Sequence, residues 1–191
     1  MILASQNAHK VEELGQILGG VELEALPDGV ETPPEDGLTF SANALIKARA
    51  VRAVTGGEVI ADDSGIEVEA LDGRPGVRSA RYAGETASDG ENLEKVLNDL
   101  AGSGGGPTAR YVCVIAYIDG SGAEHLFEGF CGGQLIQEPR GDGGFGYDPA
   151  FVPDDTGPDD QRTMAEVSPE EKHAISHRGR AARKLAGFLN S

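Results

Sequence analysis

The hydrophobic positions of the chain recur with a helical period in several segments, which glycine, proline and acidic residues separate. Spacings of three and four residues between apolar side chains predict amphipathic helices. Capping signals mark where some of these helices begin, and glycine pairs mark where two of them end. Helices are predicted from about Val11 to Leu18, over Thr39–Thr55, after Ser88-Asp89-Gly90-Glu91, after Ser168-Pro169-Glu170-Glu171, and from about His177 to Leu189.

Short apolar runs between these helices predict the strands of a sheet. Tyr111–Ile118 is wholly apolar, and Asp119–Gly122 turns the chain back, so a hairpin is predicted there. Val59–Ala61 is predicted to be a buried strand that leads into a polar turn, Asp62-Asp63-Ser64-Gly65. The other predicted strands are Met1–Ala4, Val21–Leu26, Ile66–Leu71, Ala123–Phe130 and Gln134–Ile136.

The length of the chain limits how many domains it can form, and its net charge limits the classes of molecule that it can bind. The 191 residues fit one domain or two intimate lobes, and the formal net charge of -16 would repel a nucleic-acid backbone. A small anion bridged by a cation is still compatible with this charge. No apolar run approaches the roughly 18 residues of a membrane helix, and no signal-peptide pattern is seen. We therefore expect neither polynucleotide binding, nor a membrane partner, nor secretion, and we expect Cys113 and Cys131 to be buried, reduced thiols.

The adjacent carboxylates Asp62 and Asp63 are the first candidate for chemistry. Carboxylates are costly to bury unless they are paired or bind a metal, and ligands collect at strand ends in α/β sheets. Mg²⁺ prefers one or two carboxylates together with substrate phosphates. Ser64 adds a hydroxyl group, and Gly65 permits close approach of the backbone. The alternative is that this segment is only a polar turn.

Two further segments carry groups that suit a nucleotide. Ser5-Gln6-Asn7-Ala8-His9-Lys10 joins a strand to a helix, where free N–H groups and Lys10 can bind phosphate. The alternative is an ordinary helix cap at Asn7. Gly143-Gly144-Phe145-Gly146-Tyr147-Asp148-Pro149 holds an aromatic ring between glycines, where it could stack on a nucleobase. The alternative is an aromatic plug under a loop.

Polar and cationic groups also crowd the junction between the last two predicted helices. This segment is Lys172-His173-Ala174-Ile175-Ser176-His177-Arg178-Gly179, and its alternative reading is a solvated helix start. Taken together, the four segments supply a cation site, a phosphate cradle, a stacking ring and donors for a base edge. That combination is more specific than any one of them.

With these motifs in place, the sequence resembles the Ham1/inosine triphosphate pyrophosphatase family over nearly its whole length. The motifs occur in the family's order. They are Ser5-x-Asn7-x-x-Lys10-x-x-Glu13, Gly37-Leu38-Thr39-Phe40-x-x-Asn43-Ala44, Ala61-Asp62-Asp63-Ser64-Gly65, Pro75-Gly76-Val77-x-Ser79-Ala80-Arg81-Tyr82, Gly144-Phe145-Gly146-Tyr147-Asp148-Pro149 and Ser176-His177-Arg178-Gly179.

The resemblance implies an α/β fold with a long mixed sheet flanked by helices, and two lobes around a central substrate cleft. It implies one domain over residues 1–191, without separable domains, and a cytoplasmic homodimer. The implied activity is Mg²⁺-dependent hydrolysis of the non-canonical purine nucleoside triphosphates ITP, dITP and XTP. The expected products are the monophosphate and pyrophosphate, so that the enzyme would cleanse the nucleotide pool.

The same resemblance implies roles for individual residues. Asp63 corresponds to the catalytic proton acceptor, and Glu35 and Asp63 correspond to the metal ligands. The role of Asp62 stays open. The implied substrate contacts are Ser5, Gln6, Asn7, Ala8, His9, Lys10, Lys47 and Ser64, with Phe145, Gly146, Tyr147, Asp148, Lys172, His177 and Arg178 forming the base-recognition set.

Two departures from the family pattern concern the phosphate loop. Ser5-Gln6 stands where many members have Thr-Gly, and His9 stands where glycine is frequent. Gln6 adopts positive φ less readily than glycine does. Two other functions stay open: a related pyrophosphatase that prefers modified pyrimidine nucleotides, and a nucleotide-binding protein without catalysis.

Overall fold

A computed structural model describes residues 1–5 and 7–191 of the chain. Over these residues it contains five strands and five α-helices, with short 3-10 helices between some of them. The strands are Ile2–Leu3 (β1), Val59–Val68 (β2), Thr108–Ile118 (β3), Glu124–Leu135 (β4) and Phe151–Pro153 (β5). The helices are Ala8–Ile17 (α1), Phe40–Thr55 (α2), Asp89–Ser103 (α3), Pro169–Ile175 (α4) and His177–Leu189 (α5).

The strands form one mixed sheet in the order β1-β2-β3-β4-β5. β1 and β2 are parallel, with Ile2 opposite Val59. β4 and β5 are antiparallel, with Leu135 opposite Phe151. Helices accompany this mixed sheet, so the predicted α/β class is confirmed.

The chain divides into two compact units. The first comprises Met1–Ser64, Cys113–Gly129 and His177–Ser191, and the second comprises Gly65–Val112 and Phe130–Ser176. In the first unit α1 packs against α5. Its apolar core takes residues from these helices and from the sheet, including Leu14, Ile60, Ile115 and Leu185.

The second unit has an apolar core of its own. α3 contributes the residues that the helical spacing predicts: Leu93, Val96, Leu97 and Leu100. They pack with side chains of the sheet, and the rings of Tyr111 and Phe151 meet edge to face with centroids 4.7 Å apart.

Local capping chemistry defines where the helices begin and end. The Ser88 and Ser168 side chains each accept a hydrogen bond from the backbone of the glutamate three residues later, and that glutamate's side chain accepts one in return. These reciprocal bonds satisfy backbone groups that a helix terminus leaves free. The capping box predicted at Ser88 is therefore confirmed, and the helix predicted to begin after Ser168 has one as well. The Thr39 side chain caps α2 by accepting a hydrogen bond from the Ala42 backbone N–H. Gly56 ends that helix with φ of 69°.

Two predictions of local structure are wrong. Asp62-Asp63-Ser64-Gly65 does not form a turn, because β2 runs unbroken from Val59 to Val68. The charges that stabilise the two buried carboxylates come from distant parts of the chain, so the local pattern did not reveal them. Val21–Leu26 is not a strand. It meets the short β1 at a single bridge, between Ile2 and Glu24.

The remaining predictions concern the cysteines and the membrane. Cys113 and Cys131 are free and buried, as predicted. Burial is the main cause that raises the pKa of the Cys113 thiol to about 12. Across residues 1–5 and 7–191, no helix has the length and apolar character to cross a membrane.

Candidate functional site

Charged side chains, buried or half-buried, surround the middle of β2 in the first unit. We call them the acidic-strand cluster, and its members are Lys10, Glu35, Lys47, Asp62, Asp63 and Arg178. Asp62 and Asp63 are 1% and 4% exposed, although both are ionisable. Buried carboxylates require charge partners or hydrogen bonds, and each aspartate has a different set.

Asp62 is held by cations. The Lys10 ammonium group lies 3.1 Å from Asp62 Oδ2, and the Arg178 guanidinium group lies 3.6 Å from the same oxygen. Burial raises the pKa of Asp62, but the charges of Lys10, Arg178 and Lys47 outweigh it, and the net pKa falls well below its usual range. Asp62 is therefore a carboxylate that balances buried positive charge.

Asp63 has a different environment. Its Oδ2 accepts a hydrogen bond from Asn43 Nδ2 at 3.0 Å, and its Oδ1 accepts one from the Ser64 backbone N–H at 2.9 Å. Burial is the largest cause that raises its pKa to about 6, and the negative charge of Glu35 adds to the increase, whereas Lys47 opposes it. A carboxyl group with a pKa near neutrality is suited to exchange a proton with water.

One buried lysine of α2 connects this strand to the loop of residues 27–37, which precedes α2, carries Glu35 and is called the acidic loop below. Lys47 Nζ donates to the Asp62 carbonyl oxygen at 2.5 Å and also pairs with the Glu35 carboxylate. The negative charges of Asp62, Glu35 and Asp63 raise the pKa of Lys47 even though burial lowers it. Lys47 therefore stays protonated beside the two aspartates.

Arg178 lies at the start of α5 and is almost completely buried. It pairs with Glu13 of α1, and its Nη2 donates to Ser64 Oγ at 2.9 Å. The structure thus places Arg178 with the acidic-strand cluster, and its role in base recognition stays a prediction. His177, beside it in the chain, is also buried.

The segment expected to bind phosphate precedes α1. Asn7 Oδ1 accepts a hydrogen bond from the Lys10 backbone N–H at 3.2 Å, and Ser5 Oγ accepts one from the Asn7 backbone N–H at 3.3 Å. The helix cap at Asn7 is therefore real, and it positions Lys10 in the first turn. The His9 side chain is exposed. Gln6 and the side chain of Ala8 lie outside the described residues, so their predicted contacts stay predictions.

A separate group of residues surrounds the glycine-rich loop in the second unit. We call it the aromatic-loop cluster: Phe145, Gly146, Tyr147, Asp148, Lys172 and Tyr111. Asp148 Oδ2 accepts hydrogen bonds from Lys172 Nζ at 2.8 Å and from the Phe145 backbone N–H at 2.9 Å. Asp148 Oδ1 accepts one from the Tyr111 hydroxyl group at 3.0 Å. The buried carboxylate of Asp148 thus fixes both the loop and the lysine.

The same loop presents a half-buried aromatic ring. Lys172 Nζ lies 5.0 Å from the centroid of the Phe145 ring, within the range of a cation–π interaction. Tyr147, in contrast, is buried, and its hydroxyl group donates to the Ser79 carbonyl oxygen at 2.7 Å. Tyr147 therefore anchors the loop, and Phe145 is the ring that could stack on a ligand.

The carboxylates Glu35 and Asp63 are chemically suitable for Mg²⁺. After burial, the negative charge of Glu35 contributes to the raised pKa of Asp63, and a divalent cation bound by both carboxylates would offset this repulsion. Within residues 1–5 and 7–191, however, no group of three or more histidine, cysteine or carboxylate residues could hold a metal by itself. The pair would thus need oxygen ligands from phosphate or water to complete the coordination of a metal.

Three residues whose side chains take part in these contacts were not predicted as site residues: Asn43, Glu13 and Tyr111. Asn43 and Glu13 stand in the motifs that carry the family resemblance, so that signal was present in the sequence. Tyr111 was assigned only to an apolar strand, and no local pattern indicated that its hydroxyl group meets Asp148.

Comparison with known proteins agrees with this architecture. The sequence profile of the Ham1 family matches residues 1–188. The protein named dITP/XTP pyrophosphatase from Geobacillus kaustophilus (strain HTA426) is 44% identical over 193 residues, which cover 97% of this chain and 91% of that protein.

Two solved structures are similar over nearly their whole length. A HAM1 protein from Coxiella burnetii shares 42% identity with a TM-score of 0.89, covering 99% of this chain and 97% of that one. The Ham1 protein of Staphylococcus aureus shares 38% identity with a TM-score of 0.87, at the same coverage of 99% and 97%. Profile, sequence identity and three-dimensional structure agree, and the chain belongs to the Ham1 family.

Proposed function

We propose that this chain is a nucleoside-triphosphate pyrophosphatase that hydrolyses dITP, XTP and ITP to the monophosphate and pyrophosphate. The observation that carries the proposal is the environment of Asp63. This buried carboxylate of β2 has a raised pKa, and the charges of Lys47 and Lys10 act on it. A relative 44% identical over 97% of the chain is named for the substrates dITP and XTP, which supports this choice of nucleotides.

In this proposal the acidic-strand cluster binds the triphosphate. Lys10 stands in the first turn of α1, where helix N–H groups and the ammonium group together favour an anion. Lys47 supplies a second buried positive charge beside the aspartates. These groups would neutralise the charge that develops on departing pyrophosphate, and such electrostatic stabilisation dominates phosphoryl chemistry.

Asp63 is the proposed proton acceptor. A water molecule transfers a proton to the Asp63 carboxylate while its oxygen bonds to the α-phosphorus, and the bond from the α-phosphorus to the bridging oxygen breaks. The bridging oxygen leaves with pyrophosphate. Proton transfer of this kind contributes about 10²- to 10⁴-fold to the rate. The hydrogen bonds from Asn43 and Ser64 would hold the carboxylate in place during this step.

We propose Glu35 and Asp63 as the protein ligands of Mg²⁺. When bound there with substrate phosphates, the ion would supply positive charge that stabilises the negative charge on the phosphate oxygens in the transition state. The repulsion between the two carboxylates supports this choice. Asp62 is excluded from the proposed ligand set, since Lys10 and Arg178 already balance its charge.

The aromatic-loop cluster is the proposed site for the base. Phe145 would stack on the purine ring, and Lys172 would donate to the oxygen at position 6 of hypoxanthine or xanthine. Adenine carries an amino donor at that position, so a donor-only side chain would oppose it. Guanine shares the oxygen, and its 2-amino group would have to be excluded by shape.

The remaining expectations about the assembly rest on the family resemblance alone. We propose that residues 1–191 act as one functional domain, that the enzyme is a homodimer, and that it works in the cytoplasm on free nucleotides.

The experiment is a panel of nucleotides with pyrophosphate detection. ITP, dITP, XTP, GTP and ATP are compared with and without Mg²⁺, using the wild-type protein and Asp63→Asn. We expect Mg²⁺-dependent release of pyrophosphate, with kcat/KM for ITP exceeding that for ATP by about 10²-fold or more. Equal values for ATP and ITP would refute the proposed base selectivity, and near-normal turnover by Asp63→Asn would refute the proposed role of Asp63.

A further inference from the structure

Asn43 makes two hydrogen bonds that connect the acidic loop to β2. It lies on α2 and is 0% exposed. Its Nδ2 donates to Asp63 Oδ2 at 3.0 Å, and its Oδ1 accepts from the Gly37 backbone N–H at 2.8 Å. Both functional ends of one buried carboxamide are therefore occupied by groups that flank the proposed chemistry.

The direction of these bonds is fixed by their partners. The Gly37 backbone N–H can only donate, so Asn43 must present its oxygen to it and its NH₂ group to Asp63. Asp63 consequently accepts this bond through its Oδ2. An aspartate at position 43 has the same shape but, when ionised, has no donor for Asp63.

The loop approaches Asn43 so closely that only glycine fits. A Cβ atom on Gly37 would lie 2.6 Å from Asn43 Oδ1 and 2.9 Å from the Ala42 side chain. One turn further along α2, Lys47 makes a parallel connection between Glu35 and the Asp62 carbonyl oxygen. Two buried side chains on one face of α2 thus bind the acidic loop to β2.

We propose that Asn43 is a positioning residue for the reaction assigned to Asp63: its carboxamide fixes the Asp63 carboxylate and, through Gly37, the loop that carries Glu35. This inference rests on the proposed function. Polar partners that orient a catalytic or metal-binding carboxylate typically contribute about 10- to 100-fold to activity.

The test compares Asn43→Ala and Asn43→Asp with the wild type in steady-state hydrolysis of dITP. We expect kcat to fall about 10- to 100-fold in both variants, with little change in KM, since orientation matters more at the transition state than in binding. Val51→Ala is the matched control, because Val51 is equally buried two turns further along the same helix. It should lose stability but keep its kcat.

The double variant Asn43→Ala/Asp63→Asn separates positioning from general destabilisation. If Asn43 acts through Asp63, its removal costs little once Asp63 is already replaced, so the two losses are not multiplicative. Multiplicative losses, or a normal kcat in both single variants at position 43, overturn the proposal. If the wild-type protein releases no pyrophosphate from dITP, the proposed function itself has failed. Should Asn43→Ala not fold, Asn43→Asp takes its place, since it keeps the shape of the side chain and removes the donor to Asp63.

Discussion

Lys10 Nζ lies 3.1 Å from Asp62 Oδ2, so the lysine expected to bind phosphate is already paired with a carboxylate of β2. Arg178 meets the same oxygen at 3.6 Å. Asp62 thus stands between two cations from the two helices α1 and α5. This relationship gives Asp62 a structural role, the balancing of two positive charges, that differs from the proposed catalytic role of Asp63.

Replacing Asp62 by asparagine should destabilise the fold. The buried Arg178 and the nearly buried Lys10 would lose their shared negative partner, and breaking a buried ion pair on one side typically costs about 3–5 kcal/mol. Urea unfolding at neutral pH measures the loss. An unfolding free energy equal to that of the wild type would contradict this role.

The pH dependence of that loss follows from the lowered pKa of Asp62. A carboxyl group with a folded pKa below its ordinary value of 3.8 contributes stability that is present above that value and is lost as pH falls through the folded pKa. The difference in unfolding free energy between wild type and Asp62→Asn should therefore be constant near pH 7 and shrink in acid. If the difference in unfolding free energy grew as pH falls, it would contradict the lowered pKa of Asp62.

Glu35 should add to the effect of burial and raise the pKa of Asp63 further in the metal-free protein. Its charge is one of the causes that raise this pKa to about 6, so Glu35→Gln should lower it. The chemical shift of the ¹³C-labelled Asp63 carboxyl carbon, followed by NMR during a pH titration, measures the change. Glu31→Gln is a suitable control, because Glu31 is exposed on the same loop.

The sign of the corresponding stability effect is opposite to that of Asp62. Because the folded pKa of Asp63 lies above its unfolded value, the contribution of this group to stability is fully present below about pH 4 and is lost as pH rises through about 6. Glu35→Gln should lower the pH at which this contribution to stability is lost. An unchanged Asp63 titration in Glu35→Gln would show that the two carboxylates do not interact.

Removing the Tyr111 hydroxyl group should weaken the aromatic-loop cluster. Burial raises the pKa of Tyr111 well above its ordinary value, so the phenol stays protonated and donates to Asp148. Tyr111→Phe leaves the ring in place and removes this donor, at a cost of about 1–3 kcal/mol. We expect a lower unfolding free energy and a higher KM for dITP, with a smaller effect on kcat. An unchanged KM together with a reduced kcat would contradict the assignment of this cluster to the base.

The sequence predicted features whose causes are local. The capping box at Ser88 and the end of α2 at Gly56 depend on residues within a few positions of one another, and the structure has both as predicted. Strand β2 is the opposite case. Its two carboxylates indicated a turn, because the cations that make their burial favourable lie on α1, α2 and α5.

At the candidate site, too, the contacts that the sequence did not predict join residues that are far apart in the chain. Arg178 donates to Ser64 Oγ across 114 residues of sequence, and no local pattern indicates that contact. Tyr111 donates to Asp148 from the middle of an apolar strand, where periodicity predicts only burial. Motifs pointed to the candidate residues, but only the fold shows which cation is paired with which carboxylate.

The most direct test of the central claim follows the oxygen atom of water during hydrolysis of dITP. The reaction is run with Mg²⁺ in H₂¹⁸O, and the products are analysed by mass spectrometry. Attack on the α-phosphorus by water that Asp63 activates predicts one ¹⁸O atom in dIMP and none in pyrophosphate. Label in pyrophosphate, or orthophosphate as the first product, would contradict it.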